Sequence, residues 1–110
     1  MSELTDEPIY HVVERRRWEE AEAAGRYRWS SRDLRYEEQG FVHCSFAHQL
    51  PAVLERYGDL AWSDLVILEL DPHALPVVVE DMGNGPSPHV YGELTLDAVV
   101  RVHQGRDGQS

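Results

Sequence analysis

The sequence predicts a single small α+β domain, with two helices early and most of the sheet late. Three observations carry this. The segments alternate as strand, helix, strand, helix and then several strands. The 110 residues are 42% hydrophobic, enough for one modest core. The later apolar runs are short and rich in β-branched residues, as strands are.

The first strand is Ile9 to Val13. A helix follows over about 14–24, with Trp18, Ala21 and Ala24 spaced for one face. Gly25 stands where a helix C-terminal glycine belongs. Arg26 to Trp29 reads as a short extended piece, and Asp33 to Gln39 as one helical turn. After Gly40 comes the second strand, Phe41 to Ser45. Pro51 can begin a helix but not sit in its middle, so 46–50 is a turn and the helix runs to Tyr57. An apolar strand over 64–71, with its run Leu65 to Leu70, ends at the Asp71-Pro72 turn. Val77 to Glu80 is β-branched, and 81–88, rich in Gly and Pro, predicts a mobile loop. His89 to Gly92 and Ala98 to His103 complete the strands. The domain spans 8–103, with flexible tails over 1–7 and 104–110.

Composition narrows the function. A net charge of −10 argues against broad nucleic-acid or anionic-membrane partners. No apolar run is long enough to span a bilayer. The start Met1-Ser2-Glu3-Leu4 lacks a basic-then-apolar leader pattern, and one cysteine fits a reducing cytoplasm. All ten basic residues are arginine, and seven lie between Arg15 and Arg35. Without lysine, Schiff-base chemistry and a Walker-type phosphate loop are excluded. The Arg26–Arg35 stretch is either a phosphate-binding patch or a solvated loop face, and Arg15 to Arg17 is a helix surface.

Three apolar segments each carry a histidine that a plain core strand would not need: Tyr10-His11-Val12, Val42-His43-Cys44 and Pro88-His89-Val90. Strand side chains alternate faces, so Phe41, His43 and Ser45 share one face and Val42 and Cys44 the other. His89 shares a face with Tyr91. A histidine in such a run needs a hydrogen-bond partner or a ligand, and three of them predict a common polar cleft. Cys44 then packs in the core, which removes a papain-like reading. Ser45 has no Gly-x-Ser-x-Gly elbow and is equally a strand-ending hydroxyl. A metal set of His11, His43 and His89 with Glu80 lacks any closely spaced ligand pair. Glu80 could orient an imidazole, meet a ribose hydroxyl or simply face solvent. Gly92 offers close approach of a ligand or a positive φ. Tyr27 and Trp29 are an aromatic surface or core packing. His48, His73 and His103 receive no role.

These segments resemble an uncharacterised family, domain of unknown function 952. The resemblance rests on Ile9-Tyr10-His11, Trp18, Gly25, Tyr27, Gly40 to Ser45, Gln49, the strand Leu65 to Leu70, Glu80, and Pro88 to Gly92. Two positions depart from the family's pattern: Ser87 replaces an aromatic before Pro-His, and Glu93 replaces a proline after Tyr-Gly. The family's layout is similar to ADP-ribosyltransferase-like folds, and most to the RNA 2′-phosphotransferases. That resemblance implies a split β-sheet with two short helices and a cleft for NAD. His11 would hold the ribose or nicotinamide side. His43 and Glu80 would be catalytic. Tyr27, Ser45, Gln49, His89 and Tyr91 would bind substrate. The arginine patch would meet a pyrophosphate.

The resulting expectation is a cytoplasmic protein that binds NAD or a related nucleotide as substrate and transfers or cleaves an ADP-ribosyl group. No resident cofactor is expected. The alternatives are a non-catalytic nucleotide or small-ligand module and a metal-dependent hydrolase using the histidines.

Overall fold

The computed structural model describes residues 6–29, 35–81 and 85–104. Its elements are β1 (Ile9–Glu14), α1 (Arg15–Ala24), α2 (Tyr36–Gln39), β2 (Val42–His43), α3 (Leu50–Glu55), β3 (Leu65–Leu70), β4 (Val77–Asp81), β5 (Pro86–Val90) and β6 (Val99–Gln104). The α+β expectation holds. Gln104, assigned to the tail from sequence, is the last residue of β6.

The sequence reading puts Ile9–Val13, Phe41–Ser45, Leu65–Leu70 and Ala98–Val102 in one split sheet. The chain instead builds two three-stranded antiparallel sheets, ordered β1-β3-β6 and β2-β5-β4. The segment after Gly40 contributes to both. Val42 and His43 pair with Val90 and His89, whereas Ser45 pairs with Tyr10 through two reciprocal backbone bonds of 2.8 Å.

Apolar side chains explain the layering. β3 is central in its sheet and buried on both faces, which is why its sequence is continuously apolar. Val66, Leu68 and Leu70 face the main core with Ile9, Val13, Val42, Cys44 and Val90. Leu65 and Ile67 face a smaller cluster with Val12 and with Leu50, Leu54 and Tyr57 at α3. Cys44 is buried, as its place on the Val42 face requires. In α1, Trp18 and Ala21 are buried but Ala24 is exposed, so the helix's apolar face is shorter than its spacing suggests. Gly25 ends the helix at φ 76°, and its amide donates to the Ala21 carbonyl at 2.8 Å.

The segment 81–88, expected as a loop, is mostly hairpin. Asp81 pairs with Pro86, Glu80 with Ser87 and Val79 with Pro88; residues 82–84 of the expected loop lie outside the described residues. Two prolines in a central strand are unusual, because proline has no amide proton to donate. The Pro88 carbonyl accepts from the Cys44 amide at 3.1 Å, and the Pro86 carbonyl from the Gln49 side chain at 3.0 Å. In a strand a residue's nitrogen and carbonyl point to the same side. Both proline nitrogens therefore face away from β4, and that ladder loses no donor.

Candidate functional site

The register of β2 on β5 sets His43 directly opposite His89. Cross-strand partners share a face, and so do residues two apart, which adds Phe41 and Tyr91. On β4, Val78 is opposite His89, and Glu80, two residues on, is its diagonal neighbour. The other face of these strands carries Val42, Cys44, Val77 and Val90 into the core.

The rings are in mutual contact. His43 and His89 lie edge to face with centroids 5.3 Å apart. Phe41 stacks on His89 at 4.3 Å and meets His43 edge-on at 4.7 Å and Tyr91 at 5.4 Å. A single carboxylate oxygen, Oε1 of Glu80, accepts from His89 Nδ1 at 2.8 Å and from the Tyr91 hydroxyl at 2.6 Å. These two donors hold the Glu80 carboxyl below the usual carboxylate range, and the carboxylate in turn raises the Tyr91 phenol. His89 itself is buried, 2% exposed, and with Nδ1 committed to Glu80 only its Nε2 remains uncommitted to the carboxylate. His43 is half-buried; burial, then the neighbouring His89 and Arg56, push its imidazole toward the neutral form.

His11 is beside this cluster but behind it. Its Nδ1 donates to the backbone carbonyl of His43 at 2.7 Å, so Nε2 is the acceptor for the Tyr27 hydroxyl at 2.5 Å. The ring is 3% exposed, and burial lowers its pKa to about 4. Burial raises the Tyr27 phenol well above its ordinary value, keeping it a donor. His11 and Tyr27 thus hold the β2 backbone, with both imidazole nitrogens engaged inside the protein.

Gln49 is also engaged. Its Oε1 accepts from the Phe46 amide at 2.9 Å, and its Nε2 donates to the Pro86 carbonyl and to the Ser87 hydroxyl at 3.1 Å. Ser45 is buried at the junction of the two sheets. The structure therefore brings together His43, Glu80, His89 and Tyr91. It places His11, Tyr27, Ser45 and Gln49 as buried or bridging supports around them.

Several other sequence readings change. Gly92 has no positive φ; its close neighbour is the Pro76 ring, 3.1 Å from where a Cβ would stand. Arg26 is paired with Glu93 at 2.5 Å and Arg28 with Glu37 at 4.0 Å, while Arg17 lies 3.7 Å over the Trp29 ring. Two of the patch's four arginines, Arg26 and Arg28, thus face carboxylates; Arg35 lies over the Trp29 ring at 5.6 Å, and Arg32 lies outside the described residues. Among the described residues no three His, Cys, Asp or Glu side chains could hold a metal ion, so the metal-hydrolase alternative has no ligand set there. Nor is any described helix long and apolar enough to cross a membrane. Sequence reasoning gave no role to Arg56, since nothing in its helical segment signals a neighbour in β2. The stacking of Phe41 on His89 needed the strand register as well as the alternation.

A family model described as Protein of unknown function (DUF952) matches residues 12–102. No curated protein matches the chain. Among solved structures, the X-ray crystal structure of protein CC0527 from Caulobacter crescentus is similar, with a TM-score of 0.72 and 26% identity over 86% of this chain and 82% of that one. The solution NMR structure of CC0527 has a TM-score of 0.71 and 26% identity, over 88% of this chain and 83% of that one. The chain belongs to the DUF952 family.

Proposed function

We propose that this protein binds a nucleotide, NAD first, on the face formed by Phe41, His43, Glu80, His89 and Tyr91, and transfers or cleaves its ADP-ribosyl group. In this reading the paired sheets are the split sheet of an ADP-ribosyltransferase-like fold. The observation that carries it is Glu80 Oε1 holding both His89 and Tyr91 while His43 lies against the same imidazole. The half-buried His43 and the exposed Tyr91 offer ring surface for a base or nicotinamide ring, with Phe41 and His89 buried behind them. The cluster also sets a fixed carboxylate where positive charge on a ribosyl carbon would be stabilised. In the transfer, the acceptor oxygen bonds to the ribosyl carbon as the carbon–nitrogen bond to nicotinamide breaks. The bonding electron pair leaves with nicotinamide, and the acceptor's proton passes to His43.

The test is an NMR titration of the full chain with NAD and with ADP-ribose, alongside a chromatographic assay for free nicotinamide. Shifts at His43 and His89 with nicotinamide release are expected, and H43A should weaken binding by about 1–2 kcal/mol. No shift at millimolar NAD would end the nucleotide reading. Binding without release would favour the non-catalytic module. One observation speaks for that second reading: the Glu80 oxygen that could meet a ribose hydroxyl already accepts two hydrogen bonds.

A further inference from the structure

We propose that β6 is the surface on which a second copy of this chain docks, edge to edge and antiparallel, about a two-fold axis at Val102. The surface lies at the end of the molecule away from His43 and His89, and its role does not depend on the nucleotide reading.

The pairing order leaves two outer strands. Through the Tyr10–Ser45 bridge the strands succeed one another as β4, β5, β2, β1, β3 and β6, so β4 and β6 are the edges among the described residues. Alternation fixes which backbone groups of β6 point outward. Tyr10 exchanges both bonds with Ser45, so its amide and carbonyl face away from β3, and those of His11 face Leu68. Ile67 and Glu69 therefore point to β6, as does Asp71, whose amide donates to the Ala98 carbonyl at 2.9 Å. Their partners His103 and Arg101 point back to β3, which leaves the amides and carbonyls of Val102 and Gln104 on the open side. The register shift falls at Val100, which opposes no residue of β3. Val100 is 58% and Val102 38% exposed, two of the three large apolar residues exposed on the described surface. An edge with outward amides and exposed valines is a template for another strand.

Charge and symmetry select a second copy as the occupant. The chain carries a net charge of −10, so two copies repel unless they meet where acid is absent. β6 reads Val-Val-Arg-Val-His-Gln, without a carboxylate. β4, the other edge, ends in Glu80 and Asp81, and pairing it with itself would crowd these acids from both copies into one seam. A two-fold axis at Val102 sets that residue against its own counterpart, and the two exchange both backbone bonds. Arg101 then lies opposite His103 of the second copy, and Val100 opposite Gln104 of the second copy. Glu69 balances this row on each side, because it is the cross-strand partner of Arg101 and accepts from His103 Nε2 at 2.9 Å. The two β1-β3-β6 sheets become one continuous sheet, and the β2-β5-β4 sheet of each copy, with His43 and His89, stays outside the seam.

The experiment is sedimentation velocity of the full chain over a wide concentration range, for wild type and V102K, with amide hydrogen exchange of the wild type at low and high concentration. Wild type should move toward twice the chain mass as concentration rises, and more so at high salt, which screens the net charge. V102K should stay monomeric with an unchanged far-ultraviolet circular dichroism spectrum. Exchange at the Val102 and Gln104 amides should slow with concentration. Exchange at Val79 should not, although its amide faces the open side of β4 because its partner Pro88 faces β2. A wild type that stays monomeric to millimolar concentration, or a folded V102K that dimerises like wild type, overturns the proposal. So does protection that grows at Val79 instead, which would move the seam to β4. Should V102K not fold, the exchange comparison decides, and unchanged rates at Val102 and Gln104 overturn the proposal. A monomer that binds NAD, or a dimer that does not, makes the two readings fail separately.

Discussion

His11 shows how an imidazole can be committed wholly to the protein's own backbone and side chains. Its ring fixes the carbonyl of His43 and receives the Tyr27 hydroxyl, and it does both only while neutral. Its folded pKa of about 4 is below the ordinary 6.5, so the unfolded chain binds the proton more readily. Stability from this residue is complete above about pH 6.5 and is lost as pH falls toward 4, by about 3 kcal/mol in all. Urea unfolding at pH 7 and pH 4.5 should show that loss, and H11Q should be flatter with pH although weaker at pH 7. An equal pH dependence in both proteins would remove His11 as the cause. Cys44 makes a simpler case. Burial raises its thiol far above the reactive range, so native labelling by a thiol reagent should be slow. C44S should cost about 1–3 kcal/mol, because a hydroxyl then enters the core, with little effect on any ligand. The period-two alternation of strand side chains made the inward turn of Cys44 legible. It could not show that His11 spends both nitrogens on the protein, since the partners lie 16 and 32 residues away.

At the level of elements, caps and bridges decide where the strands lie. Gln49 closes the turn before α3 through one hydrogen bond and ties it to β5 through two, and Q49A would leave the Phe46 amide and the Pro86 carbonyl unpaired. A loss of about 1–3 kcal/mol is expected, read from chemical denaturation. G25A should cost about 1–2 kcal/mol, because a side chain is strained at φ 76°. A change under a few tenths of a kcal/mol in the same assay would contradict the cap assignment. Most elements were legible: β1, α1, α3 and β3 lie close to their expected bounds. The hairpin of β4 and β5 was not. Pro86, Ser87 and Pro88 read as loop because proline lacks a donor, and only the pairing shows that the missing donors face away from β4.

Across the whole molecule the two sheets share one core, with Ile9, Val66 and Leu68 of the first packed together with Val42, Val77 and Val90 of the second. Unfolding should therefore be a single cooperative transition, with tryptophan fluorescence and far-ultraviolet circular dichroism giving the same midpoint. Separate midpoints would mean that the sheets melt independently. The face bearing His43 and His89 was legible as a gathering of residue types, but the division into two sheets was not, because nothing local announces where a strand changes partners. That change has a cause in β5. Beyond Val90 its flank toward β2 offers acceptors without protons at Pro88 and Pro86. A strand advancing along it finds no reciprocal bond after His43, and the backbone two residues later takes a complete pair with Tyr10 instead. The seam between the sheets is thus drawn by a missing hydrogen. The same refusal stops β2 just past His43, so one proline both ends a strand and bounds the face that carries His43 and His89.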